Sequence, residues 1–116
     1  MKIDVKISKR EELKIQKEKD KEWSGQIKTR DGYECVICGN TFAPNANHII
    51  PREIKEHRYD LDNGITLCVN HHKFSRKISA HNNPFNFILW LAKYKPEMYY
   101  ETYRKSVLLA KDEVIL

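Results

Sequence analysis

The residues of this chain best equipped to hold a metal are its three cysteines and a pair of adjacent histidines. Cys35 and Cys38 bracket two residues in "CVIC", and the same interval counted from Cys68 in "LCVNHHKF" reaches His71. Structural zinc takes four soft or borderline ligands in a tetrahedron, often as two such pairs. Cys35, Cys38, Cys68 and His71 are therefore the candidate Zn2+ ligands. This set uses every cysteine, and a histidine replaces the fourth thiolate. Gly39 lets the backbone turn tightly around the ion. Three buried thiols beside an ordinary histidine are the bland alternative, and it leaves the matched spacing of the two pairs unexplained. A Cys35–Cys38 disulfide belongs in a redox fold rather than here.

With His71 on the zinc, His72 cannot easily join it. Successive residues of a helix project about 100° apart. His72 therefore faces another surface, where it is free to ligate a second cation. His48 in "NANHII" is an isolated histidine, which by itself is more often a packed or exposed side chain than a catalyst.

Taken in order, "RDGYECVICG", "ANHI", "LDNGITLC" and "HHK" resemble the HNH endonucleases of the zinc-stapled kind. The resemblance runs from about Trp23 to Lys77, and phage and mobile-element nucleases often have this size and layout. It implies an α+β fold: a small ββα-metal (His-Me finger) core with a zinc knuckle, here joined to a long N-terminal helix and C-terminal helices. The three signature positions fall on His48, Asn63 and His72. The resemblance makes His48 the general base and His72 a ligand of a catalytic Mg2+ or Mn2+. Asn63 holds the loop and the His48 ring in place, or coordinates directly. By the same resemblance the substrate would be DNA, duplex or branched, and the products would carry 5′-phosphate and 3′-hydroxyl ends. The chemistry is coherent in its own right. Phosphodiester hydrolysis needs an activated water and a neutralised developing charge, and imidazole titrates near ~6.5, so the neutral base is available.

One position departs from the family pattern. The residue before the base is usually an acid or a histidine that ligates the catalytic metal, and here it is Asn47. An amide oxygen is a neutral, weaker ligand than a carboxylate. Strand neighbours also face opposite sides, so Asn47 and His48 share a metal site only where the strand twists or bulges. The expectation is a weakly held catalytic ion with Asp60 or Asp62 supplying charge nearby.

The elements that must position these groups can be read in outline. "KIDVKI" (2–7) alternates as a short strand or a loose arm. Ser8 and Glu11 form a capping box for a charged helix over about 9–29. The first half of that helix projects into solvent, and Trp23 and Ile27, four apart, share a docking face. Gly32 ends it in a left-handed conformation. Residues 45–50 and 64–68 read as short strands with an irregular loop between them. "VNHHKFSRKIS" (69–79) reads as a helix. Asn83 caps a third helix, with Pro84 at its first position, and Pro96 opens a fourth. Phe87, Trp90, Leu91 and Tyr94 fall at helical spacing, so a core-facing stripe is preferred to a base-stacking set. These helices clamp the zinc-stapled centre and the Trp23 helix. His57 and His81 read as surface or capping residues. One domain spans 1–116: arm and charged helix to 29, stapled core over 30–80, helices from 81.

With 116 residues, 41% hydrophobic and 32% charged, the core is thin and a metal staple would help. The net charge of +5 and pI near 9.1 suit a polyanionic partner. Lys73, Arg76 and Lys77 follow the adjacent histidines with no acidic residue between 69 and 80. Lys73 is the first candidate for phosphate contact, and Arg52 and Arg58 are weaker ones. The sequence shows neither a signal-peptide run nor a membrane span, so no membrane role is expected and a cytoplasmic location is. Two rival readings stand beside the nuclease. One is a zinc-stapled DNA-binding module that has lost catalysis through Asn47. The other is a subunit active only within a larger complex, with the charged helix as its docking arm; a homodimer or a larger phage or defence complex is the assembly expected.

Overall fold

A computed structural model describes residues 8–111 and 113. The expected arm at 2–7 lies outside the described residues. The chain is α+β. Helix α1 (Lys9–Arg30) leads to strand β1 (Asn45–His48), strand β2 (Gly64–Leu67), helix α2 (Pro84–Tyr94) and helix α3 (Pro96–Ala110). No helix among the described residues is long and apolar enough to cross a membrane.

Local chemistry sets the helix ends. The Ser8 hydroxyl accepts the Glu11 backbone N–H at 3.2 Å, so one half of the expected capping box forms. At the other end Gly32 has φ 71°. Residues 9–22 of α1 are nearly all exposed, including Leu13 at 58%. Only Trp23 and Ile27 are buried on this helix, the pair expected to dock. The Arg30 guanidinium fastens its end, donating to the carbonyls of Leu61 and Gly64 at 2.7 Å each.

The two strands pair antiparallel with Asn45 opposite Leu67, Ala46 opposite Thr66, Asn47 opposite Ile65, and His48 opposite Gly64. Directly opposed residues share a face and neighbours alternate. One face therefore carries Asn47, Ile65 and Leu67, and the other carries His48, Gly64 and Thr66. The first face meets α2: Cys35, Ile65, Leu67, Cys68, Phe87 and Leu91 form the buried core, with Trp90, Met98 and Tyr99 packed against it. The second face meets Trp23 and Ile27 of α1. Tyr94, expected in the α2 stripe, is 57% exposed. It lies one turn beyond Leu91, past the reach of the small sheet, and packs its ring beside Trp90 instead.

The expected helix at 69–79 forms only over its first half, as a single π-helical turn. Residues Asn70–Phe74 make one wide turn, closed by the Ser75 N–H donating to the Asn70 carbonyl at 2.8 Å. Side chains then capture the backbone that a helix would need. Asn82 Nδ2 donates to the Phe74 carbonyl, Asn83 Nδ2 to that of Arg76, and Asn86 Nδ2 to that of Lys77. Ser79, fully buried, donates to the Ser75 carbonyl and accepts from the N–H groups of Asn82 and Asn83. Such local side-chain bonds compete with helix continuation.

Candidate metal centre and catalytic cleft

The first cluster forms where the turn after α1 meets the end of β2. Cys35 is buried beneath a tight turn in which its N–H donates to the Asn40 carbonyl and Gly39 donates to the Cys35 carbonyl. Gly39 has φ 76°, the left-handed conformation that glycine adopts freely. The Val36 N–H donates to the Thr66 carbonyl, which lays this knuckle along β2. Cys68 follows β2 directly, and the wide turn returns His71 over it.

The four ligand atoms lie within 4.8 Å of one another. Cys38 Sγ is 3.8 Å from Cys68 Sγ, and His71 Nδ1 is 3.6 Å from Cys35 Sγ and 3.3 Å from Cys68 Sγ. Zinc bonds of ~2.3 Å to sulfur and ~2.0 Å to nitrogen give tetrahedral edges of about 3.8 Å and 3.5 Å. The residues present therefore fit a tetrahedral zinc through Nδ1 of His71. Electrostatics agree. Desolvation, together with the Cys35 and Cys68 sulfurs, pushes the Cys38 thiol up to about 11. Burial would raise the Cys35 thiol too, but the backbone N–H groups of Cys68, Cys38 and Ile37 outweigh it and lower that pKa. Burial lowers the His71 pKa, favouring the neutral ligand form. Three ionised sulfurs this close need a cation among them.

On the other side of the His71–His72 turn a cleft of about 810 Å3 opens, lined among others by Asn47, His48, Arg52, His72, Lys73 and His81. The His48 ring stacks on Trp23, with centroids 3.9 Å apart and planes within 8°. Its Nε2 lies 2.8 Å from the Arg58 carbonyl. A carbonyl only accepts, so Nε2 carries the hydrogen and the neutral ring keeps its lone pair on Nδ1. Burial lowers the His48 pKa, assisted by the Arg58 and Arg52 charges and opposed by the bond to the Arg58 carbonyl and by Asp20. Trp23 is itself fixed, its Nε1–H donating to the Asp60 carbonyl at 3.0 Å.

Asn63 is 1% exposed, and its amide is fully occupied. Its Oδ1 accepts the Ile50 N–H at 2.6 Å, and its Nδ2 donates to the carbonyls of Ile50 and His57 at 3.1 and 2.9 Å. Asn63 thus clamps both ends of the loop that delivers the Arg58 carbonyl to His48. Asn47 is 7% exposed, and its Nδ2 donates to the His48 carbonyl at 3.2 Å.

Not every residue expected nearby belongs to this cleft. Asp60 and Asp62 do not line it. Lys105 of α3 bridges them at 2.8 and 2.5 Å, and Asp60 also accepts from His57. Two carboxylates tied to a half-buried lysine serve to dock α3. The Arg58 guanidinium is likewise committed, donating to both Asp20 oxygens at 2.9 and 2.7 Å. Its carbonyl is the group that faces His48. Lys73 and Arg52 line the cleft with exposed side chains, while Arg76 and Lys77 are exposed farther along the turn.

His81, read from the sequence as a surface or capping residue, sits with Nε2 at 3.1 Å from Nε2 of His72. No periodicity links positions 72 and 81, so no local pattern could have paired them. Trp23 had a signal as a docking residue but none as the platform under His48.

Residues 35–76 match the family model of the HNH endonucleases. That span contains both pairs of candidate zinc ligands, both strands, Asn63 and His72. Searches of curated proteins and of solved structures gave no match.

Proposed function

We propose that this chain is a metal-dependent DNA endonuclease in which His48 is the general base. The observation that carries this reading is the orientation of His48 in a cleft shared with His72. With Nε2–H spent on the Arg58 carbonyl, Nδ1 is the atom free to take a proton. Trp23 beneath the ring and the Asn63-clamped loop beside it hold that orientation. Asn63 is a positioning residue in this scheme, acting through the loop.

His72 would hold the catalytic cation; the ladder is regular at Asn47 and His48, so these neighbours face opposite sides of the strand and the bulge that would bring both to one ion does not form. Burial, with the neighbouring His81 and Lys73, lowers the His72 pKa and keeps a lone pair available for a ligand bond. A divalent ion there supplies charge neutralisation for the scissile phosphate and the departing oxygen. His48 Nδ1 takes the proton of a water as its oxygen attacks phosphorus. The bond to the 3′-oxygen breaks, and that oxygen takes a proton from solvent, leaving 5′-phosphate and 3′-hydroxyl ends. Lys73 and Arg52 contact backbone phosphates at the cleft, and Arg76 and Lys77 extend that basic surface. Zinc at the Cys35, Cys38, Cys68 and His71 site holds the turn that carries His72, and so serves structure rather than the reaction.

A second reading has one observation in its favour. Asn47 stands where a stronger ligand would bind the cation better, as in a DNA-binding module that no longer cuts. Plasmid nicking with Mg2+ or Mn2+, wild type beside His48→Ala, separates the two. Cutting that disappears in the variant supports the nuclease. Salt-sensitive DNA binding without cutting in the wild type selects the binding module.

A further inference from the structure

We infer that His81 is a second imidazole ligand of the catalytic cation, paired with His72, and that this site selects an imidazole-favouring transition ion over Mg2+. The inference rests on the nuclease reading of the cleft and extends it to a residue outside the matched family span.

The Nε2 atoms of His72 and His81 are 3.1 Å apart, and the two rings meet edge to face at 88°. Two imidazole nitrogens on one ion at ~2.0–2.1 Å, subtending 90–109°, are separated by about 2.9–3.4 Å. The backbone enforces the approach. The Ala80 N–H donates to the His71 carbonyl at 2.9 Å and the His81 N–H donates to the His72 carbonyl at 3.0 Å. The loop from 75 to 83 is closed by buried Ser79 and by Asn82 and Asn83, so residue 81 has little freedom to drift from residue 72. The same short ladder joins His81 to the zinc-held turn.

The donor set then decides the ion. Two imidazole nitrogens form a borderline site, and the carboxylate that lines the cleft, Glu53, lies beside Arg52 at 3.8 Å. Imidazole favours later first-row ions along the series from Mn2+ to Ni2+, whereas Mg2+ favours carboxylate and water oxygen. His81 thus supplies what Asn47 lacks as a ligand.

Nitrogen-to-nitrogen hydrogen bonding between the two rings would produce a similar distance, and the test must exclude it. Zinc-loaded protein is titrated with Ni2+ by calorimetry, with Mg2+ as comparison, in wild type, His81→Gln and His72→Ala. Glutamine can still hydrogen-bond to His72 but is a poor ligand for Ni2+. One Ni2+ per wild-type chain is expected, weakened at least about tenfold in His81→Gln and in His72→Ala, with Mg2+ binding far weaker throughout. Retained zinc and unchanged melting temperature show that the variants fold. Unchanged Ni2+ affinity in His81→Gln overturns the inference. If His72→Ala still loses Ni2+ in that case, the cleft remains a metal site without His81. Mg2+ binding as tight as Ni2+ in the wild type overturns the selectivity. Nicking by the wild type that depends on His48 tests the underlying nuclease reading separately.

Discussion

At the scale of single residues, His48 is held by two unlike contacts, an indole beneath the ring and a carbonyl at Nε2. Both leave Nδ1 free, and burial moves the ring's pKa below its ordinary ~6.5. Burial disfavours imidazolium, so the base form persists to lower pH than in a free histidine. The acid limb of the nicking rate should therefore have its midpoint below ~6.5, and a midpoint above 7 would refute the assignment. The same shift links to stability. An unfolded His48 takes up its proton first, so stability held above ~6.5 declines as pH falls toward the folded pKa. His48→Ala should lower nicking by about 10²–10⁴-fold while zinc content stays unchanged, checked by plasmid assay and metal analysis. Asn63 poses a different problem, since its loss strands the Ile50 N–H and two carbonyls in the interior. Asn63→Ala should cost about 2–4 kcal/mol in urea unfolding. Activity should fall even where the variant remains folded, because the loop carrying the Arg58 carbonyl is released.

At the scale of elements, the decisive contact is between α1 and the start of β2. A Cβ at Gly64 would lie 2.4 Å from Trp23 Cζ2 and 2.8 Å from Ile27 Cδ1. Gly64 is opposite His48 in the ladder, so the absent side chain makes the space in which Trp23 reaches the His48 ring. Gly64→Ala should destabilise the fold by about 1–3 kcal/mol through overpacking. It should also depress nicking by displacing Trp23. Thermal melts and nicking rates measured together check this, and an unperturbed pair would show that α1 tolerates displacement. The helices themselves were legible because their signals are local: Ser8, Asn83, Pro84 and Pro96 act within one turn. The helix expected at 69–79 stops after one turn because its competitors are asparagines up to nine residues away, which take its carbonyls only after the chain has folded back.

At the scale of the whole molecule, the buried core is small and the candidate zinc ligands Cys35 and Cys68 are part of it. Cys38 and His71 sit at its margin, so a metal held by the four residues would join the knuckle, the end of β2 and the histidine turn. Chelation at neutral pH should abolish cooperative unfolding, as followed by circular dichroism, and Cys68→Ser should do the same. Retention of a sharp transition in the chelated protein would show that the helices suffice without the ion. Removing zinc should also suppress nicking in the presence of excess Mn2+, since His72 is carried on the zinc-held turn.

From the sequence alone came the cluster of Cys35, Cys38, Cys68 and His71, the docking face of α1, the two short strands and the order of motifs that matches the HNH family model. Each depends on spacing within a few residues or on the order of short motifs, and the chain carries that information in one dimension. Tertiary structure decided the rest. It directed Asp60, Asp62 and Arg58 into ion pairs away from the cleft, set Trp23 under His48, and brought His81 to His72. These outcomes depend on which distant groups meet once the loops close, and a partner chosen by closure in three dimensions leaves no period in the sequence.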